Sequence, residues 1–513
     1  MLAFILSNLV GLVRGILIYR AFGTSADLDS FNAANRVTEV LYNLMAGGAL
    51  GSAFIPVFTG FLTRKDTSNA WKLASGVINL LISALAVVCL IAILLAPQIV
   101  RHGLFILNPA ASLGQLDLTT LLLRILLPTI LVFGVSGLMM GMLNSFQQFW
   151  IPAITPAMYS LGMIIGVTVF PPDWGIQRLA WGALLGSGLH LLIQLPSILK
   201  LKFSYQPRFF WHLPEVREVI RLFIPRIFGV AVVQLNFIVN TIIALSQPEG
   251  SASALTLAFS LMLMPQMAIA QSIAIASLPS FSAQAAQGKL AEMRSSLAAT
   301  LRGVLLLSLP ASLGLILLRQ PLIRLLYEGG GVFDSHSTAM VSWALLFYAA
   351  GLVGHSVVEI ISRAFYALHD TRTPVMVGAA AMGLNLIFSF GFSALFKNLG
   401  LMPHGGLALA NSLATFLEMI ALLIVMRKKL GSLEGGIILE VVVKAASATL
   451  IMAAILSGWS ALSTSMPDWI VLFGGLLLGL LAYGVVIHIL KVSEFQRVIT
   501  IISRKIRRSD PAS

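Results

Sequence analysis

Charge is scarce in this sequence. Only 10% of its 513 residues are Asp, Glu, Lys or Arg, against roughly 25% in a soluble domain. That is too little charge to cover a water-facing surface, which excludes ordinary soluble globular domains. Disorder is excluded as well, because disordered chains are charge-rich and apolar-poor. Cysteine is nearly absent: Cys89 stands alone in an apolar run, so there is no disulfide scaffold. No G-x-x-x-x-G-K-[ST] motif occurs, which rules out nucleotide hydrolysis by a P-loop in this chain. The eight His are scattered, and no Cys and His pair has metal-ligand spacing. No gap between apolar runs has room for a soluble catalytic domain. A membrane-embedded transferase would need an acidic or His cluster near one interface. The nearest feature is His369-Asp370, and a turn before Pro374 accounts for it.

What is abundant is apolar sequence. Hydrophobic residues make up 58% of the chain and the mean hydropathy is +0.93. Runs of about 18 residues or more read as membrane-spanning helices, whereas barrel strands would be ~10 residues with strict alternation. Fourteen such spans are expected: 2–20, 27–50, 73–98, 119–143, 152–170, 178–199, 219–246, 252–275, 300–321, 338–362, 374–396, 405–426, 438–460 and 468–490. The fold class is therefore an all-α polytopic membrane protein. No basic region precedes the first run, so it does not read as a signal peptide. A run that begins almost at Met1 is compatible with a start inside a longer native helix. Twenty-two of the 33 Lys and Arg residues fall after even-numbered spans or in the tail. Six fall on the other side: Arg20, Arg101, Arg178, Arg319, Arg324 and Lys397. The positive-inside rule then puts the even-numbered gaps and both termini in the cytoplasm. The basic tail around Arg504-Lys505 and Arg507-Arg508 reads as a topology anchor against anionic lipid. The net charge of +13 is explained by this placement and not by nucleic acid.

An internal repeat is legible. Phe54-Ile55-Pro56-Val57-Phe58 is echoed by Ser277-Leu278-Pro279-Ser280-Phe281, with the prolines 223 positions apart. The stretch leading to Pro152 is echoed by the one leading to Pro374, 222 positions on. The offset covers six spans, an even number, so the copies share one orientation. Parallel repeats are a transporter architecture with a site between the halves near the midplane. The expected organisation is an N-lobe over 1–200, a cytoplasmic linker over 201–218 and a C-lobe over 219–427. A further helix pair follows over 438–490, then a basic tail over 491–513.

Ionisable groups in hydrocarbon cost ~2.5–3.5 kcal/mol each on insertion scales, so they should face a partner or a wet cavity. Asp29, Asn32, Arg36, Glu39 and Asn43 are spaced 3, 4, 3 and 4, which is one face of a helix. At 1.5 Å per residue the stripe is about 21 Å long. It is read as lining an aqueous cavity, with buried pairs such as Arg36 and Glu39 as the alternative. Arg14 is a second intramembrane cation, able to line a cavity or to snorkel outward. Gly47 and Gly51 supply a small-residue surface for close packing or a hinge. Pro225 and Pro265 should kink or break their helices. Neutral oxygens of Asn236, Asn240, Asn385 and Thr415 could bind a sodium ion, or they could form interhelical hydrogen bonds.

Three stretches resemble one family. Ser7 to Arg14 (SNLVGLVR) is similar to the first-helix motif of the MurJ/MviN lipid II flippases. Ala26 to Phe31 (ADLDSF), followed by Ala53-Phe54-Ile55-Pro56, is similar to their second helix. Arg363 to Val375 (RAFYALHDTRTPV) is the most specific match. The resemblance covers essentially the whole chain, and fourteen spans fit it. It implies transfer of an undecaprenyl-pyrophosphate-linked peptidoglycan precursor from the inner to the outer leaflet by alternating access. The drive would be an ion gradient, Na+ or H+, or the membrane potential, and not ATP. It also implies cavity cations that meet the pyrophosphate and a lipid-tail groove at the last two helices. Arg14 and Asp29 fall on matching family positions. Many members carry Arg where this chain has Asn8, Tyr42 and Ser260, and an acid at Gly47. Arg14 and Arg36 would then supply the compensating charge. The implied partners are the polyprenyl lipid, membrane lipids and cell-wall synthesis proteins. Export of another lipid-linked glycan or of drugs, and a non-transporting scaffold of cell-wall assembly, remain the alternative readings.

Overall fold

The computed structural model describes residues 2–45, 48–329 and 331–496. Within these, the side chains at 2–5, 48–50, 52, 225, 226, 228, 229 and 232 are outside the description. The described chain is helical throughout its regular structure, with no strand. Seventeen helices matter here. They are α1 Leu2–Phe22, α2 Ala26–Met45, α3 Gly48–Thr63, α4 Thr67–Leu94, α5 Leu113–Leu126, α6 Pro128–Ser145, α7 Trp150–Thr168, α8 Gln177–Leu192 and α9 Pro214–Leu245. Then follow α10 Ser251–Gln266, α11 Ser272–Ala286, α12 Leu290–Tyr327, α13 Ser335–Ala367, α14 Arg372–Asn398, α15 His404–Leu430, α16 Gly435–Leu462 and α17 Asp468–Ile489.

Among the described residues, eleven helical segments are long and apolar enough to cross a membrane, not fourteen. The three expected spans outside that set, 2–20, 27–50 and 219–246, are helical as α1, α2 and α9. In α2 the charges Asp27, Asp29, Arg36 and Glu39 set the composition apart, whereas α1 and α9 each include side chains outside the description. The expected span 27–50 includes residues 46 and 47, which lie outside the description; α2 is described to Met45 and α3 from Gly48.

The chain forms two compact units. Unit 1 holds residues 1–253 with 327–337, and unit 2 holds 254–326 with 338–513. The first boundary lies at Ser253 and not in the expected linker, because α9 packs on α2 and α3. The linker itself is fastened to α4: Asn79 Nδ2 donates to the carbonyls of Gln206 and Arg208, each at 2.9 Å. Helices α7 and α8 pack closest, glycine against glycine. A Cβ on Gly162 would lie 2.1 Å from the Gly186 Cα, and one on Gly166 would lie 2.7 Å from the Gly182 Cα. Two G-x-x-x-G pairs therefore bring the backbones into contact. In both copies of the repeat the second proline landmark is the third residue of its helix, Pro152 in α7 and Pro374 in α14. Both first landmarks, Pro56 and Pro279, lie inside helices, α3 and α11.

In unit 2 the last helix pair is tied to α12. Arg302 pairs with Glu494 and lies 3.6 Å from Glu434, and the Tyr483 hydroxyl donates to the Leu306 carbonyl at 2.6 Å. Leu306, Val441, Ala445, Ala448 and Ile487 form the apolar contact beneath. The expected turn at Asp370 is a helix cap. The Asp370 carboxylate accepts from Thr373 N at 3.0 Å and from Thr373 Oγ1 at 2.6 Å, and meets Lys429 at 2.5 Å. The Lys429 ammonium and the Thr373 donors hold this carboxyl well below the usual carboxylate range. A depressed carboxyl stabilises the fold above its unfolded value, and that contribution is lost only as pH falls through the lower folded value. Asp370→Ala is therefore expected to cost about 1 kcal/mol at neutral pH, the size of a lost cap. The wild-type cap should be unaffected between pH 5 and 8. Thermal melts of both chains in detergent across that range check this.

Candidate functional site

The functional residues of unit 1 gather along α1, α2, α7 and α9. The turn between α1 and α2 is built on Gly23, whose φ of +61° is left-handed and whose Cβ would lie 2.9 Å from the Val332 carbonyl oxygen. Without that Cβ, the segment Tyr327–Ser337 can lie against the turn. Val332 N–H donates to the Arg20 carbonyl at 3.2 Å, and Thr24 Oγ1 donates to Ser337 Oγ at 2.9 Å. Tyr327 and Phe333, both buried, meet the Tyr19 ring edge-on at centroid distances of 5.9 and 6.5 Å.

The polar stripe of α2 divides into two parts. Its first part is committed to protein contacts. Asp29 is only 3% exposed. Its carboxylate accepts from Gly250 N at 2.7 Å, from Ser253 N at 2.7 Å and from Ser253 Oγ at 2.6 Å. Asn32 Nδ2 donates to Ser253 Oγ at 3.1 Å, and the Tyr19 hydroxyl donates to the Ser253 carbonyl at 2.9 Å. An acid placed on the free N–H groups of a helix start satisfies donors that have no intrahelical partner. Asp29 is thus a clamp on the first turn of α10, and its oxygens face donors of the protein.

The second part is charged and more open. Arg36 Nη1 donates to Glu39 Oε2 at 2.8 Å, with the side chains 24% and 45% exposed. The Arg36 guanidinium lies over the Phe237 ring of α9, 5.2 Å from its centroid. This is the internal pair named above as the alternative to cavity lining. Asn43 makes no hydrogen bond among the described residues. The Tyr42 ring sits 5.5 Å from Phe133, which also meets Tyr159 and His190, each at 5.1 Å.

Arg14, in α1 of the same unit, faces α7. Its Nη1 donates to Ser160 Oγ of α7 at 3.3 Å and approaches Met163 Sδ at 4.0 Å. Among the described residues no carboxylate comes within ion-pair distance of it. Arg14 on α1 and the Arg36–Glu39 pair on α2 give this part of unit 1 two cations and one anion. Such a neighbourhood can hold an anion with charge-assisted hydrogen bonds. Asn8 is exposed in α1. Ser260 belongs to unit 2, and its hydroxyl donates to the Thr256 carbonyl one helical turn back at 2.8 Å.

The remaining expectations fall out as follows. Asn240 Nδ2 donates to Asn236 Oδ1 at 3.0 Å within α9 of unit 1. Asn385 and Thr415 are buried in unit 2, where Thr415 Oγ1 lies 3.4 Å from His355 Nε2. Among the described residues, a Cβ on Gly51 would meet only Ile55 of its own helix, at 3.9 Å. Gly47 lies outside the described residues, as does the side chain of Pro225, and α9 runs unbroken through that position. Pro265 is followed by a π-helical turn, Met267–Gln271, between α10 and α11. The helical segment continues through this π turn from Ser251 to Ala286.

Sequence reading missed Tyr159, Ser160, Phe237, Gly250 and Ser253. None carries a charge, and each acts only through a partner distant in sequence. It also missed a buried network in which Ser136 Oγ meets His190 Nδ1 at 2.6 Å and Gln194 Nε2 donates to the His190 carbonyl at 2.9 Å. Ser136 and His190 lie within expected spans, as polar residues that the stripe argument did not cover.

Comparison with known proteins bears on what this neighbourhood is for. The family model for lipid II flippase MurJ matches residues 18–478. The lipid II flippase MurJ of Burkholderia cenocepacia is 30% identical over 432 residues, 83% of this chain and 82% of that protein. The probable lipid II flippase MurJ of Vibrio cholerae is 29% identical over 425 residues, 82% of this chain and 80% of that one. A solved structure of lipid II flippase MurJ in an inward closed conformation aligns with a TM-score of 0.78 at 26% identity. It covers 95% of this chain and 97% of its own. An inward-facing multidrug resistance MATE family transporter of the MOP superfamily aligns with a TM-score of 0.69 at 15% identity and shares the fold alone. This multi-pass membrane protein belongs to the lipid II flippase MurJ family.

Proposed function

We propose that this chain moves lipid II, the polyprenyl-pyrophosphate-linked peptidoglycan precursor, from the inner to the outer leaflet of a bacterial plasma membrane. The observation that carries the reading is Arg14, a cation in α1 held by a neutral hydroxyl with no carboxylate beside it among the described residues. A charge left without a counter-charge in an apolar bundle is costly. A lipid-linked pyrophosphate supplies the missing anion. Arg36 adds the second cation. Asn43, Tyr42 and Asn8 line the approach within unit 1. The relatives are named as lipid II flippases, which favours this substrate over drugs or other glycans and favours transport over a scaffold.

The mechanism is alternating access without ATP, in the manner of a secondary transporter, with Na+ or H+ as the coupling ion. Asn236 and Asn240 in unit 1, and separately Asn385 and Thr415 in unit 2, are the oxygen donors a cation would use. The lipid tail runs along 438–490. Both termini are cytoplasmic, in keeping with the Lys and Arg bias. The lipid substrate and membrane lipids are the partners, together with proteins of cell-wall synthesis. Rescue of flippase-depleted cells by the intact chain is the test. Growth with normal shape supports the reading, and lysis despite good membrane expression refutes it.

Alternating access requires the contacts around the α1–α2 turn to open during the cycle. Thr24 Oγ1 and Ser337 Oγ are 2.9 Å apart, so paired cysteines at these positions have sulfurs near bonding distance. A T24C/S337C chain is expected to lose at least about nine-tenths of its flipping on oxidation and to regain it with reductant, as one tenth of the rate is ~1.4 kcal/mol of barrier. Full activity in the oxidised, cross-linked protein would show that this contact stays closed throughout.

A further inference from the structure

The Arg36–Glu39 pair is an odd feature in a site built for an anion. Glu39 places a negative charge where the pyrophosphate is to bind. Its contribution to the fold is small. The pair is partly exposed, such pairs contribute little, and the acid lies C-terminal to the base, the weaker order on a helix. The guanidinium is nevertheless held in place. Phe237 covers one face at 5.2 Å, and Glu39 takes one of its five donors. The other donors have no protein partner among the described residues. A guanidinium stacked on a ring with free edge donors is the usual arrangement for gripping phosphate oxygens.

We propose that Glu39 is an exchangeable counter-ion. It occupies Arg36 when no lipid is bound and yields the guanidinium to the substrate pyrophosphate. It takes the guanidinium back as the lipid leaves. This rests on the lipid II reading and adds to it a residue that sets affinity and release. The charges fit the exchange. With Glu39 displaced, Arg14 and Arg36 present two cations to a diphosphate that bears one negative charge on each phosphate. With Glu39 in place, the empty site keeps a single net positive charge, which lowers the cost of leaving it unfilled. Removing the competing acid should therefore tighten binding and slow release, since affinity within one site is tuned mainly through the off-rate.

The test uses the purified full-length chain in detergent, with undecaprenyl pyrophosphate as the probe. The E39Q chain is expected to bind about tenfold more tightly than wild type, ~1.4 kcal/mol, with an unchanged melting temperature. In vesicles its multiple-turnover flipping should slow while its first turnover does not. In an R36Q background the E39Q change should have no effect on affinity, which separates ion exchange from a general change in surface charge. Unchanged or weaker binding by E39Q, in a preparation where R14Q still weakens binding, overturns the exchange and leaves the lipid II reading standing. If neither change alters affinity for the probe, the pyrophosphate reading itself fails. If E39Q does not fold, the pair is structural and the proposal is wrong.

Discussion

Replacing Arg14 by Gln is expected to reduce lipid II flipping at least about 100-fold without destabilising the protein. The guanidinium is anchored to Ser160 at 3.3 Å, and no carboxylate neutralises it among the described residues. Charge-assisted hydrogen bonds from such a group to a phosphate are worth about 1.5–3 kcal/mol each. Losing two of them costs ~3 kcal/mol or more, which is a factor of about 100 in binding. The fold should not suffer. An uncompensated charge in an apolar bundle is itself destabilising, and Gln can still donate to Ser160. The melting temperature is therefore expected to stay level or to rise. Flipping measured in vesicles and melting measured in detergent separate the two effects. A fall in both together would mean that Arg14 is a structural residue.

Replacing Asp29 by Ala should do the reverse and damage the fold first. Its carboxylate takes three hydrogen bonds at 2.6–2.7 Å from Gly250 and Ser253 in a site that is 3% exposed. Alanine would leave two backbone N–H groups unsatisfied, at about 1–3 kcal/mol each. It would also remove an anion from a helix N-terminus, a further ~0.3–1 kcal/mol. A loss of about 3 kcal/mol or more is expected. Asp29→Asn, which keeps one accepting oxygen, should lose about half as much. Denaturation in detergent micelles reports both. Wild-type stability in the Ala variant would contradict the clamp.

These two residues show how far sequence reading reaches. The helical character and the polar stripe of α2 are legible because helical periodicity is local. The division of labour along that stripe is not. Asp29 meets partners 221 and 224 residues away, at Gly250 and Ser253, and Arg36 lies over Phe237. Such contacts depend on how α9 and the start of α10 pack on α2, which no local pattern encodes. The proline landmarks were readable and sit at like positions in their helices. Span ends were less so. The span expected over 300–321 lies inside α12, which runs Leu290–Tyr327. Hydropathy marks only the apolar part of a helix, and the polar turns at its ends extend it unseen. The Gly162 and Gly166 spacing was visible too, but its meaning comes from Gly182 and Gly186 on the facing helix.

Lipid II movement by the purified chain in sealed vesicles, without ATP and with a Na+ or H+ gradient imposed, is the most direct test of the role given to Arg14. Wild-type chain should transfer labelled lipid II between leaflets at least about 100-fold faster than protein-free vesicles, and R14Q should fall back to the protein-free rate. Wild-type vesicles no faster than empty ones, or an R14Q rate equal to wild type, would contradict it.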